Sequence, residues 1–127
     1  MSYATPRPYP REFLDVAFTF GRPVAVSKTG YASQSFRTLG IPIRGNEADQ
    51  YEWLDFLLRR AAEGRYLFVG NWASTDFEKL LEKLPKEAQE LARVWAYTSL
   101  QRSDRRPKKA LELWDRYLRL PRAAPAG

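Results

Sequence analysis

NEADQYEWLDFLLRRAAEG, residues 46–64, carries the clearest periodicity in the chain. Trp53, Leu54, Leu57, Leu58 and Ala61 recur at i, i+1, i+4, i+5 and i+8, which places them on one face of a helix. Asn46 is a suitable N-cap, and Glu47 and Asp49 put negative charge where a helix dipole favours it. Gly64 supplies a C-cap residue. The spacing predicts a helix over 47–63 with one apolar face, so a partner layer must cover that face.

Upstream, the period changes from 3.6 to 2. Leu14, Val16, Phe18 and Phe20 alternate with Asp15, Ala17 and Thr19, the pattern of a half-buried strand. Gly21-Arg22-Pro23 is turn chemistry, and Val24 to Val26 then reads as the second strand of a hairpin. Lys28-Thr29-Gly30 signals another turn. Tyr31 to Leu39 is ambiguous. Ile41-Pro42-Ile43-Arg44 reads as a short extended piece, confined to an edge by Pro42. Before all this, Pro6, Pro8 and Pro10 alternate with Arg7 and Tyr9 and favour an extended arm.

Downstream, Tyr66-Leu67-Phe68-Val69 reads as a short buried strand that joins the sheet. Thr75-x-x-Glu78 matches a capping box, with Phe77, Leu80, Leu81 and Leu84 at helical spacing behind it. Pro85 ends that helix or opens the next. Lys86 to Leu100 reads mostly as helix, although Val94 to Thr98 has the β-branched and aromatic content of a strand. Asp104 and Pro107 precede a last helix carrying Leu111, Trp114, Tyr117 and Leu118, which Pro121 stops. The expected fold class is α+β: a small N-terminal antiparallel sheet followed by three or four amphipathic helices. A mainly α chain with an extended N-terminal arm is the alternative. The expected organisation is an arm over 1–12, one domain over 13–120 and a tail over 121–127.

The chain has 127 residues, no Cys and no His. That length suits one domain with a core of its own. Without Cys there are no disulfides, thiolate metal sites or cysteine nucleophile. Without His there is no imidazole base and no Ser-His-Asp triad. The N-terminus lacks the apolar run of a secretory signal, and no stretch approaches the length of a membrane helix. A cytoplasmic protein without membrane contact is expected.

Charge is unevenly distributed. Lys and Arg number 21 against 15 Asp and Glu, a net +6. Residues 1–46 carry +4, residues 47–100 carry −3 and residues 101–127 carry +5. The densest patch is Arg102, Arg105, Arg106, Lys108 and Lys109, with Arg116 and Arg119 beyond it. Such a run is either a solvated loop or a surface that neutralises phosphates. Arg22, Lys28, Arg37 and Arg44 form a candidate second patch. Tyr9, Tyr31 and Trp72 fall in loop-like contexts, where aromatics beside Arg can stack on bases or anchor a protein interface. Trp53, Trp95 and Trp114 fall on apolar helical faces and read as core.

Other chemistry is thinly represented. Ser27-Lys28-Thr29-Gly30 holds the residues of a phosphate loop in the wrong order. Glu47, Asp49, Glu52, Asp55, Glu63, Asp76 and Glu78 supply carboxylates, but acidic residues on a polar helix face are the ordinary case. No metal or cofactor is expected, and no small-molecule substrate is evident.

Leu67-Phe68-Val69-Gly70-Asn71-Trp72 resembles the first-strand hexamer of the RNA-recognition motif. The resemblance implies that Phe68 stacks on a base and that a helix over 76–84 follows. It covers residues 67–84 alone. The second motif of that family, a basic-Gly-aromatic run on a later strand, has no counterpart between Pro85 and Gly127. In size and charge the chain is also similar to small basic subunits of CRISPR effector complexes, as an analogy of class. The expected function is therefore a non-enzymatic, basic, nucleic-acid-binding accessory protein, within a larger ribonucleoprotein assembly. The alternative is a protein-binding adaptor or inhibitor, such as a virus-encoded one, that uses the Pro-rich arm and the loop aromatics.

Overall fold

The computed structural model describes residues 12–122 and 124. The expected Pro-rich arm lies almost wholly outside the described residues, as does most of the expected tail. The chain runs α1 (Glu12–Asp15), a 3-10 turn (Val16–Phe20), β1 (Val26–Thr29), β2 (Gln34–Thr38), β3 (Ile41–Asn46), α2 (Glu47–Glu63), β4 (Val69–Asn71), α3 (Glu78–Leu81), α4 (Lys86–Arg93) and α5 (Lys109–Leu118). Helices and strands are mixed, as expected for α+β. The strands form two separate pairs, however, and not one N-terminal antiparallel sheet.

Helix α2 follows its sequence closely. The Asn46 side chain accepts a hydrogen bond from the Asp49 N–H at 2.8 Å. Gln50, Trp53, Leu54, Leu57, Leu58 and Ala61 are buried along one stripe. Helix α5 packs on that stripe through Ala110 and Leu113, with Tyr31 and Leu100 completing the cluster. Truncating a side chain as buried as Trp53 typically costs about 3–5 kcal/mol. A second, smaller cluster of Leu14, Val26 and Leu57 ties α1 and β1 to the same helix.

Gly64 follows α2, but its φ of −85° is not left-handed. The left-handed residue is Arg65, at φ 51°. Glycine at 64 answers a different need: a Cβ there would lie 2.3 Å from Cζ of Phe18. Residues 16–20 thus press directly against the end of α2.

The first expected strand is absent. Residues 12–20 are helical, and the alternation that suggested a strand does not match burial. Leu14 is buried, yet Val16 and Phe20 are 59% and 75% exposed. The Thr19 hydroxyl donates to the Val16 carbonyl at 2.7 Å, and Asp15 is held by Arg60 of α2.

Strand β1 instead pairs with β4, in parallel, through Val26↔Val69 and Thr29↔Asn71. Parallel neighbours need a long crossover, and here it contains the β2–β3 hairpin and α2. The hairpin pairs Phe36↔Ile43, Arg37↔Pro42 and Thr38↔Ile41. Its turn is Leu39-Gly40, both at positive φ (48° and 74°), as a two-residue primed turn requires. Pro42 does lie on an edge.

The C-terminal half is less helical than its sequence suggests. Helix α3 is a single turn, and Phe77, not Thr75, precedes it. Thr75 bridges to Gln101 instead, so the capping box does not form. Pro85 opens α4, which ends at Arg93. Residues 94–100 are neither helix nor strand. Ala96, Thr98, Ser99 and Leu100 are nonetheless buried, because this irregular segment passes between β1, α3 and α5. No helix among the described residues is long and apolar enough to cross a membrane.

Candidate nucleic-acid interface

The structure breaks up the densest basic run. Lys108 is 2% exposed and belongs to the interior. Its Nζ donates to Asp76 at 2.7 Å and to the Ser99 and Tyr97 carbonyls at 2.9 and 3.4 Å. Asp76 also accepts the Ser99 N–H at 3.2 Å. Burial pushes the Asp76 carboxyl up and the Lys108 ammonium down, each against the pull of the other. Lys108 therefore pins segment 97–101 and is not a phosphate contact. Arg102 is turned towards Glu47 at the start of α2. Arg106 pairs with Asp104 at 2.6 Å. Arg105 stands in the turn between them at φ 67°, exposed, and Lys109 is exposed at the start of α5. Arg116 is exposed and donates to the Tyr51 hydroxyl at 3.3 Å.

Tyr31 is also displaced from its expected role. It is buried against Trp53, with ring centroids 6.2 Å apart, and stacks on core rather than on a base. Phe68 is 56% exposed. It lies just before β4, and its carbonyl accepts the Val26 N–H at 3.0 Å. A two-stranded parallel pair does not reproduce the four-stranded sheet that the RNA-recognition motif implies, and the helix expected over 76–84 shrinks to Glu78–Leu81.

The expected second patch falls into place in part. Arg37 and Arg44 share the outer face of the β2–β3 hairpin, because Arg37 stands opposite Pro42 and Arg44 is two residues further on. The hairpin is docked on α4. Thr38 Oγ1 donates to the Glu90 carbonyl, the Leu39 N–H donates to Glu90 Oε2 at 2.7 Å, and Arg93 donates to the Arg37 carbonyl at 3.2 Å. Phe36 packs on Tyr97. Arg22 is exposed in the loop before β1 and shares no element with this pair.

Sequence spacing could not reveal the cluster around Lys28. The ammonium group of Lys28 lies 4.0 Å from the ring centroid of Trp72 and 4.1 Å from that of Trp95. The two indoles are themselves 4.9 Å apart. Trp95 is not on a buried helical face, as its spacing suggested; it sits in the turn after α4. Trp72, 43% exposed, follows β4 directly. Segment 90–97 thus carries the basic hairpin through Glu90, Arg93 and Tyr97, and the tryptophan pair through Trp95.

A polar cleft of about 210 Å³ opens beside the buried pair, lined by Ser33, Gln34, Glu47, Asp76, Glu78 and Arg102 among others. Its cations are already engaged by its carboxylates. Among the described residues no three carboxylates converge as metal ligands. No family model matches this sequence, and the curated proteins contain no match to it either.

Proposed function

We propose that this chain binds single-stranded nucleic acid as a small accessory component of a nucleoprotein assembly, through Trp72 and the Lys28 cation on it. The observation that carries this reading is the Lys28 ammonium on two indole rings, one of them open to solvent. An exposed aromatic face beside a cation is the arrangement on which unpaired bases stack while the backbone phosphate is neutralised. In this reading Arg37 and Arg44, exposed on the hairpin docked to the segment that carries Trp95, supply further phosphate contacts. The role proposed is binding, with no chemistry assigned to the chain.

Fluorescence anisotropy tests this directly, with labelled single-stranded RNA, single-stranded DNA and duplex DNA at two salt concentrations. Single strands bind more tightly than duplex, and affinity falls steeply with salt. Trp72→Ala weakens binding by about 1–3 kcal/mol, the usual value of one stacked base. Changing Lys28, Arg37 and Arg44 to Gln lowers the log–log salt slope by about 0.7 for each phosphate that is no longer neutralised. Absence of binding at low salt, or indifference to Trp72, overturns the reading.

A further inference from the structure

Residues 74–76 run alongside Gln101. The Asp76 N–H donates to the Gln101 carbonyl at 2.9 Å, and the Gln101 N–H donates to the Ser74 carbonyl at 3.0 Å. Asp76 and, two residues on, Glu78 both line the polar cleft of about 210 Å³. The cleft carries four carboxylates, Glu47, Asp76, Glu78 and Asp104, against three cations, Arg102, Arg106 and Lys108. Each cation is matched: Arg102 with Glu47, Arg106 with Asp104 and Lys108 with Asp76. Glu78 is the carboxylate left over.

Glu78 is half-buried, and its Oε2 is shut off from solvent with no hydrogen-bond partner. Its charge reaches the buried groups around it. Burial pushes the Asp76 carboxyl and the Tyr97 hydroxyl up, and the negative charge of Glu78 adds to both. Two further buried atoms without partners, Ser99 Oγ and Gln50 Oε1, lie on the same bonded chain. Gln50 Nε2 donates to the Ser99 carbonyl at 2.9 Å, and the Ser99 N–H donates to Asp76. Carboxylate and amide oxygens only accept, so what this region lacks is a donor. A buried polar atom left unpaired is costly, more so when it is charged. A metal ion does not answer the need, since among the described residues no three ligating side chains converge. An organic cation brings its own N–H groups and needs one carboxylate with neutral oxygens beside it.

We propose that this cleft binds a small ammonium or guanidinium group, which donates to Glu78 Oε2 and is flanked by the neutral oxygens of Gln34 and Ser103. Its positive charge balances the one carboxylate that the chain leaves unmatched. The inference is independent of the nucleic-acid reading, since it uses none of the residues assigned to that surface.

NMR titration of the intact, isotopically labelled chain tests it. The probes are methylguanidinium and methylammonium, compared with tetramethylammonium, which has no N–H, at equal ionic strength. The first two shift the backbone amides of Ser33, Glu78 and Ser103, and tetramethylammonium does not. Glu78→Gln keeps the shape, removes the charge and lowers probe affinity about tenfold or more. Glu82→Gln, at an exposed position just after α3, leaves affinity unchanged. Without probe, the urea midpoint of Glu78→Gln lies at or above that of the wild type, because a buried charge lacking a donor is gone. Saturating probe raises the midpoint of the wild type and not of the variant, which separates a lost site from a lost fold. If Glu78→Gln does not fold, Glu78→Asp, which withdraws the oxygen by one methylene, provides the same test with the same loss expected. Agmatine and Nα-acetyl-arginine methylamide then present the guanidinium as a free molecule and as a protein side chain, and the tighter binder identifies the source. The proposal is overturned if neither cation shifts these amides, if tetramethylammonium shifts them equally, or if the Glu78 variants bind as the wild type does.

Discussion

Changing Lys108 to Met leaves the Asp76 carboxylate in the interior with its cation gone. Uncompensated charges of this kind cost about 3–5 kcal/mol, and urea unfolding measures the loss. Asp76→Asn together with Lys108→Met removes both charges, so the double variant loses less stability than the two single variants added together. The pair has been taken out of water at a cost, as its two pKa directions show: burial comes first for both, raising Asp76 and lowering Lys108. For an acid raised in the folded state, stability falls as pH climbs from the ordinary value through the raised one. For a lysine lowered in the folded state, stability rises as pH climbs from its folded value towards the ordinary one. Glu90 behaves oppositely to Asp76. The Leu39 N–H, ahead of Arg93 and Thr38, holds its carboxyl below the usual range against a smaller effect of burial. Its contribution is present above the ordinary carboxylate value and is lost as pH falls through the lowered one. On acidification the wild type therefore loses more stability than Glu90→Gln, and the two unfolding curves converge in acid. Sequence alone does not mark Lys108 as an interior residue. It stands among four other cations, and its partner Asp76 is 32 positions away. Nothing local distinguishes it from a surface lysine.

Among the elements, the β2–β3 hairpin holds a residue against its preference. Leu39 takes φ 48° in the turn, where an ordinary L-residue costs about 1–2 kcal/mol. Its side chain is largely exposed, so little packing is lost on replacement. Leu39→Asn creates the Asn-Gly pair that such turns favour and stabilises the fold by about 1 kcal/mol. For a domain of this size, calorimetry should show a rise in Tm of about 4 °C. The elements also show where sequence patterns carry information. Helix α2 is legible to the residue because its cap, its charges and its apolar stripe all agree. Residues 13–20 mislead because alternating apolar residues occur there without alternating burial. Phe18 and Gly64 meet across 46 positions, and no local window contains that contact. Residues 94–100 resist assignment because local turns, such as Thr98 N–H to the Trp95 carbonyl, are combined with long-range contacts: Ser33 N–H to the Tyr97 carbonyl, and Gln50 Nε2 to the Ser99 carbonyl. The candidate site is legible in the same uneven way. Lys28 and Trp72 each stand out in the sequence, but only the fold brings Trp95 to them.

Across the whole molecule, charge and topology divide the work. The acidic middle of the chain forms α2 and the short helices that follow, while the basic flanks supply the hairpin, β1 and the loop around Arg105. Two ion pairs tie α2 to segments outside it, Glu47 with Arg102 and Arg60 with Asp15. This cross-linking by charge leaves fewer exposed cations than the net +6 suggests. The parallel pairing of β1 with β4 has a consequence in time. Val26–Thr29 emerges from the ribosome about forty residues before Val69–Asn71, and α2 must be made in between. At about 5–20 residues per second, that is a delay of several seconds. Throughout it, β1 is a nascent strand with two open sides. Pairing of β1 therefore waits until more than half of the chain has been made, whereas the β2–β3 hairpin can close as soon as it emerges.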